Sequence, residues 1–435
     1  MASVLLLVSI AVVVATVYFL VKGWETRLVL LVAGFVMAIV AGDPMKAFRY
    51  FSDRMVFGGL IEPMLSVMGF AYVMKITKCD AHLTNMLAGW LRKVPWLLIP
   101  GAGIVTAIIN IPVTSAAGVS AAVGVILIPL LINAGVRPVL AAAAVYTGTF
   151  GSMLSPGNVH NVFISSQMLK IPVMDVIAIE FWPTVICVII GALGVTAVGY
   201  ITKENKGYVP AEPMVATIEK YNALYAVIPM LPIAILIAVA WLNSAFPGKD
   251  VAGWLAQVKT IRISHAMLFG AFLGVLATRT SPTKCVDQFF RGAGDVYAAV
   301  MGIIICANVF VAGLEACGVV DSFNALLKNS GDAAKYAATW GPMLLAIVVG
   351  SGDAATLAFN STVSPHAADF GMTPLTMGAL ANLAGALGRT CSPLAGGIII
   401  CAGIAKVNTM DIAKRTAPGM VIASFVALYW FAYMV

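Results

Sequence analysis

The chain has 435 residues, of which 61% are hydrophobic and only 10% charged, and it carries a formal net charge of +7. A soluble domain carries roughly 25% charged residues, so the composition excludes a protein covered by water. The long apolar blocks exclude the short alternation of a membrane β-barrel, and the 26 Lys and Arg, scattered singly and in pairs, exclude a nucleic-acid-binding face.

A membrane helix needs about 20 apolar residues, and such blocks recur along the chain. The first, at 2–21, has no basic leading region and no small-residue cleavage pattern, so a retained span is expected rather than a signal peptide. Spans are predicted next at 28–42, 57–75 and 174–201. A polar stretch at 202–221, with Lys203, Glu204, Lys206, Glu212, Glu219 and Lys220, divides the chain near its middle. Beyond it spans are predicted at 222–243, 263–279, 295–314 and 416–434. Segments 79–93 and 319–335 are amphipathic and are expected to lie along the membrane surface. The seven cysteines form no CxxC pair and read as small apolar residues.

Two regions, 95–169 and 338–406, are apolar but broken by Gly, Pro, Ser, Asn and Thr, and they match each other. Asn110 to Gly118 aligns with Ile347 to Ala355, placing Thr114 on Ser351; Gly148-Thr149-Phe150-Gly151 to Ser155-Pro156 aligns with Gly385-Ala386-Leu387-Gly388 to Ser392-Pro393. Both alignments run at a spacing of 237 positions, and Gly135 to Pro138 falls on Gly371 to Pro374 one residue short of it. Three matches in order predict an internal repeat. The expected fold is an all-α integral membrane protein of two inverted-topology repeats, with about ten transmembrane helices and two re-entrant hairpins. The first repeat occupies 1–201, with a hairpin near 95–133 and a broken helix at 138–169. After the 202–221 linker, the second occupies 222–435, with a hairpin near 338–370 and a broken helix at 374–406. Placing the N-terminus outside puts most of the basic residues, among them Lys22, Arg27, Arg92, Lys93, Lys203 and Lys206, on the inner side.

Non-helical backbone at membrane depth is tolerated only where protein or a water-filled cavity satisfies it. Four interruptions at matching places therefore point to one central site and to a secondary transporter. Free amides of broken helices attract anions, and unwound carbonyls take cations such as Na⁺. Arg389 interrupts an apolar stretch where a charge costs roughly 2.5–3.5 kcal/mol on insertion scales. Its rigid fork suits a carboxylate; the structural alternative is an ion pair with Asp353. Asp353 itself, at the second hairpin tip, is a candidate for ligating Na⁺, carrying a proton or pairing with Arg389. Thr114, Ser115, Ser351, Asn158, Thr390 and Ser392 are the other candidate substrate contacts. Ser155, Asn110, Gly118 and His160 join Asp353 as candidate ion-coupling residues, with a candidate Na⁺ position near Ser115 and Asp353. His160 is of a residue type that can serve as a pH-responsive group, and a packing role is the alternative. There is no HExxH, no GxSxG and no clustered His/Asp set, so no enzyme and no cofactor beyond the coupling ion is expected.

Gly313 to Asp321, Gly350-Ser351-Gly352-Asp353 and Leu387 to Gly396 resemble the DcuC-type anaerobic four-carbon dicarboxylate carriers, and Ala402 to Lys406 and Lys414 to Thr416 continue the likeness. That family belongs to the ion-transporter superfamily. The resemblance implies elevator-type transport of succinate, fumarate or malate driven by Na⁺ or H⁺, a homodimer, and a bacterial inner membrane. A carrier for another carboxylate (a tricarboxylate, a monocarboxylate or an amino-acid conjugate) is the alternative. An anion channel is the competing class, separated by saturation of flux and by its dependence on an ion gradient.

Overall fold

A computed structural model of the protein describes residues 2–22, 24–56, 58–210, 220–246, 253–319 and 333–435. Among these residues all regular structure is helical. Five helices are long and apolar enough to cross a membrane: Ala116–Asn133, Val173–Ile201, Ala223–Asn243, Pro374–Ala405 and Thr409–Met434. Shorter apolar helices accompany them, among them Thr26–Val40, Leu98–Asn110 and Gly302–Ala316. Large apolar side chains such as Leu7, Ile39, Leu193, Leu268 and Phe425 are exposed on the outside. That surface suits lipid, and the molecule is an all-helical, membrane-embedded protein.

In chain order the helices are α1 (Ala2–Val21), α2 (Thr26–Val40), α3 (Pro44–Met55), α4 (Gly58–Ile76), α5 (Cys79–Leu91), α6 (Leu98–Asn110), α7 (Ala116–Asn133), α8 (Pro138–Tyr146), α9 (Val159–Phe163) and α10 (Val173–Ile201). Beyond the polar stretch follow α11 (Ala223–Val227), α12 (Leu231–Ala245), α13 (Trp254–Val258), α14 (Ile263–Thr278), α15 (Pro282–Val296), α16 (Gly302–Ala316), α17 (Ala333–Val349), α18 (Gly352–Thr362), α19 (Pro374–Cys391), α20 (Gly396–Ala405) and α21 (Thr409–Tyr429). Residues 44–55, between the spans predicted at 28–42 and 57–75, form α3, whose N-cap Asp43 accepts from the Lys46 amide at 3.1 Å. The span at 295–314 starts late, because α15 is a separate polar helix that passes through a π-turn, Tyr297–Met301, into α16. Both α3 and α15 carry a polar face and are too polar as a whole to read as spans. Most of the amphipathic segment at 319–335 lies outside the described residues, as do 211–219 of the linker.

The two interrupted regions fold as turns between helices for definite reasons. Pro156 and Pro393 offer no amide to a helix, and a residue before proline is pushed out of the helical region. Ser155 and Ser392 accordingly have ψ of 132° and 129°. Each Ser Oγ then accepts the amide two residues on, from Gly157 at 3.3 Å and Leu394 at 3.2 Å. The next helices begin after Asn158 and Ala395, both extended. Lys170 and Lys406 cap the far ends in the left-handed region, with φ of 54° and 55°. Upstream, the turns at 111–115 and 350–351 join α6 to α7 and α17 to α18. Gly350 has φ +76°, a conformation that L side chains rarely adopt.

Packing explains the paired glycines. A Cβ on Gly148 would lie 2.0 Å from the Gly103 carbonyl oxygen, and on Gly151 2.1 Å from that of Ala107. On Gly385 it would meet Thr356 Oγ1 at 2.0 Å, and on Gly388 the Met343 carbonyl at 2.2 Å. Each interrupted helix thus packs so closely on its neighbours, α6 for the first and α17 and α18 for the second, that a side chain at these positions would not fit. One core joins α6, α7 and α8 to Ala395, Ile398 and Cys401; a second joins α19 and α21 to Phe150 and Met153. Each core therefore takes residues from both ends of the chain. All seven cysteines are buried and free.

The first part of the polar stretch is docked rather than loose. Arg415 on α21 donates to Glu204 from Nη2 at 2.6 Å and from Nε at 3.2 Å, and the Glu204 carbonyl accepts the Arg137 amide at 2.9 Å. The hydrogen-bonded guanidinium holds the Glu204 carboxyl below its ordinary value.

Candidate functional site

The four interruptions converge on a cavity of about 700 Å³. The turn between α6 and α7 and the start of α7 supply Thr114, Ser115 and Gly118; the first break supplies Ser152, Asn158 and His160; Asp353 and Arg389 come from the second half of the chain. Ser115 caps α7 by accepting the Gly118 amide at 3.1 Å, so the tip is a rigid helix start facing the cavity. Asn110 holds that tip to the first break: its Nδ2 donates to the Val113 carbonyl at 2.8 Å, and its Oδ1 accepts the Ser152 amide at 2.8 Å.

Of the roles open to the charged groups at the cavity, the Arg389–Asp353 ion pair is the one not formed. Asp353 does not pair with Arg389. His160 Nε2 lies 2.9 Å from Asp353 Oδ1, so the carboxylate is bound across the two halves. Arg389, in the last turn of α19, donates from Nη2 to the Thr149 carbonyl at 2.9 Å, while its own carbonyl accepts the Tyr146 hydroxyl at 2.9 Å. Its Nη1 has no hydrogen-bond partner, and Arg389 has no carboxylate within 4.0 Å among the described residues. The backbone of the first broken helix thus holds one edge of the guanidinium and leaves the other uncommitted.

Other candidates serve the frame rather than the wall. Ser155 and Ser392 hold the breaks through their own turns. Thr390 is buried, donating to the Ala386 carbonyl at 2.9 Å. Ser351 is the N-cap residue of α18, without a side-chain capping bond. None of these four borders the cavity, whereas Thr114, Ser115, Gly118, Asn158, His160, Asp353 and Arg389 do.

The structure also brings in residues that sequence reading passed over. Tyr72 and Lys75 on α4, Asp80 on α5 and Asp295 on α15 line the cavity. The Tyr72 hydroxyl donates to Asp295. Burial pushes the Asp80 carboxyl up to about 6, against the amide of Ala81 that donates to it at 2.7 Å. Lys75 stands at the end of a span and looked like a loop charge. Behind the cavity, Glu180 on α10 is fully buried in a cluster of Asn161, Asn360 and Asn382. A carboxylate inside the apolar block 174–201 was a signal of the same kind as Arg389.

A model of the C4-dicarboxylate anaerobic carrier family, DcuC, matches residues 4–435. An uncharacterized transporter of Haemophilus influenzae is 40% identical over 285 residues, covering 64% of this chain and 99% of that protein. The anaerobic C4-dicarboxylate transporter DcuC of Escherichia coli K12 is 25% identical over 454 residues, covering 97% of this chain and 95% of its own length. Among solved structures, Neisseria gonorrhoeae MtrF, described with a class of antimetabolite efflux pumps, superposes with a TM-score of 0.65 at 13% identity. It covers 91% of this chain and 84% of its own. At that identity the likeness concerns the fold. These relatives are transporters, not enzymes.

Proposed function

The chain belongs to the C4-dicarboxylate anaerobic carrier family, and from that premise we propose that it is a secondary carrier of succinate, fumarate or malate. The carrying observation is the uncommitted edge of Arg389 at a cavity into which the start of α7 also opens. A guanidinium edge and a helix N-terminus are both complementary to a carboxylate. The charges around the cavity support a dianion. Asp353 is held by His160 and Asp295 by Tyr72, while Lys75 and Arg389 have no carboxylate within 4.0 Å among the described residues. Asp80 also lines the cavity, and the two cations that lack a carboxylate partner, Lys75 and Arg389, match two terminal carboxylates.

In this reading the segments α6–α7 and α17–α18 are re-entrant hairpins in two inverted-topology halves, within about ten transmembrane helices. The matching turn conformations at Ser155 and Ser392 support it. Alternating access follows the elevator type, in a homodimer of the bacterial inner membrane, with anion movement coupled to Na⁺ or H⁺. For a Na⁺ ion the candidate coupling residues are Asp353, His160, Asn110, Ser155 and Gly118, around the hairpin tips and the first break.

Purified protein in liposomes, offered labelled succinate and competing mono-, di- and tricarboxylates, tests the reading. Saturable uptake competed by four-carbon dicarboxylates, and driven by a Na⁺ or H⁺ gradient, is the expected result. Non-saturating flux would make it a channel, and preference for a tricarboxylate or monocarboxylate would overturn the substrate class.

A further inference from the structure

A second polar site lies behind the cavity. Glu180 sits in the α10 span and is 0% exposed. Its Oε1 accepts from Asn382 Nδ2 at 2.9 Å, and its Oε2 has no partner. One helical turn along the same helix, the buried Thr184 Oγ1 has none either. Asn382 Nδ2 also reaches Asn161 Oδ1 at 3.4 Å, and Asn382 Oδ1 accepts from Asn360 Nδ2 at 2.8 Å. Ser364 Oγ donates to Asn360 Oδ1 at 2.7 Å. The cluster continues toward the cavity, because Asn161 Nδ2 donates to the Met153 carbonyl at 2.6 Å, and Met153 and His160 border the cavity.

The chemistry of this cluster is that of a neutral acid. An ionised carboxylate accepts at both oxygens, and out of water it needs several donors or a cation. Here there is one amide donor, and no Lys, Arg or His lies within 4.0 Å of Glu180 among the described residues. A protonated carboxyl is far cheaper to bury than an ionised one, and Oε2, which has no partner, is the oxygen that would carry the hydrogen. The other charged and titratable groups on elements packed against α10 are held by partners of their own or stand towards helix ends. On α9, His160 is held by Asp353; on α19, Arg389 is held by the Thr149 carbonyl; on α8, the Tyr146 hydroxyl is held by the Arg389 carbonyl. Cys391 ends α19, Asp411, Lys414 and Arg415 occupy the first turns of α21, and Tyr429 is its last residue. Asp175 lies in the first turn of α10, and Cys187 donates to the Ala423 carbonyl at 3.5 Å. Neither α6 nor α12 carries a titratable side chain.

Resting on the carrier reading above, we propose that Glu180 is the site of the coupling proton. The proton is bound at Oε2 and released to water during the transport cycle. The asparagine cluster reports its presence to the first break through Asn161 and to the second hairpin through Asn360. Binding and release move only the proton, between the carboxyl group and solvent.

The test uses full-length protein in liposomes. Substrate exchange without any gradient measures the carrier reading by itself, and Glu180→Gln, which keeps the shape of the neutral acid, should leave it within about twofold of wild type. Uptake driven by a pH gradient should fall to the level seen without one in Glu180→Gln. The infrared C=O band of a buried carboxylic acid, sensitive to H₂O/D₂O exchange, should be present in the wild type and missing from the variant. Gradient-driven uptake that survives in Glu180→Gln would overturn the assignment. So would wild-type uptake that follows Na⁺ and ignores pH, or an unchanged infrared band. Loss of exchange in the wild type itself would fall on the carrier reading instead.

Discussion

His160 Nε2 and Asp353 Oδ1, 193 positions apart in the chain, meet at 2.9 Å. The pair links the first broken helix to the start of α18, with the histidine side chain 5% exposed and the carboxylate 37% exposed toward the cavity. Removing either partner strands the other, so the two losses should overlap. His160→Ala and Asp353→Ala, measured singly and together by thermal unfolding in detergent, should show a coupling of about 1–2 kcal/mol. Strict additivity would mean that the contact contributes nothing to the fold.

Arg389 should matter for anion binding more than for folding, since backbone carbonyl contact alone secures it. Arg389→Lys keeps the charge and loses the fork, and should weaken dicarboxylate binding by about tenfold; Arg389→Ala should weaken it by roughly 100-fold or more. Calorimetric titration of purified variants checks this, with unfolding temperature as the control. Unchanged affinity in a well-folded Arg389→Ala protein would remove Arg389 from the site.

The close backbone contacts of the broken helices have no room for a methyl group. Gly151→Ala and Gly388→Ala should each destabilise by about 1–3 kcal/mol, the usual cost of overpacking. Gly294→Ala, where an added Cβ meets nothing within 4 Å, is the control and should be neutral. Melting temperatures of the three variants decide it, and equal values would contradict the packing described.

The Glu204–Arg415 pair sets a pH dependence. The folded carboxyl titrates below its unfolded value of about 4.3, because Arg415 stabilises the charged form. Its contribution is therefore fully present above that unfolded value and is lost as pH falls through the lower folded one. Glu204→Gln should cost about 2 kcal/mol at pH 7 for these charge-assisted hydrogen bonds. The gap between variant and wild type should close in acid. Melting curves taken from pH 7 downward check the sign, and a gap that widens in acid would refute it.

Composition and local chemistry alone determined that this is an all-helical membrane protein. They also located its helix breaks, because proline lacks an amide and glycine lacks a side chain wherever they stand. Ser155-Pro156 and Ser392-Pro393 interrupt helices for reasons contained in two residues. The paired glycines were visible as a pattern, but what they touch was not, since the Gly103 carbonyl belongs to another helix. Arg389 was conspicuous because a charge in an apolar stretch needs a reason. Its surroundings were not readable: Asp353, the structural alternative as its partner, is held by His160, a choice made by how α9 and α18 pack. Lys75, Asp80 and Asp295 looked like ordinary polar ends of helices until folding turned them toward one cavity. Pairings across 193 or 240 positions depend on which helix faces meet, and only the tertiary packing decides that.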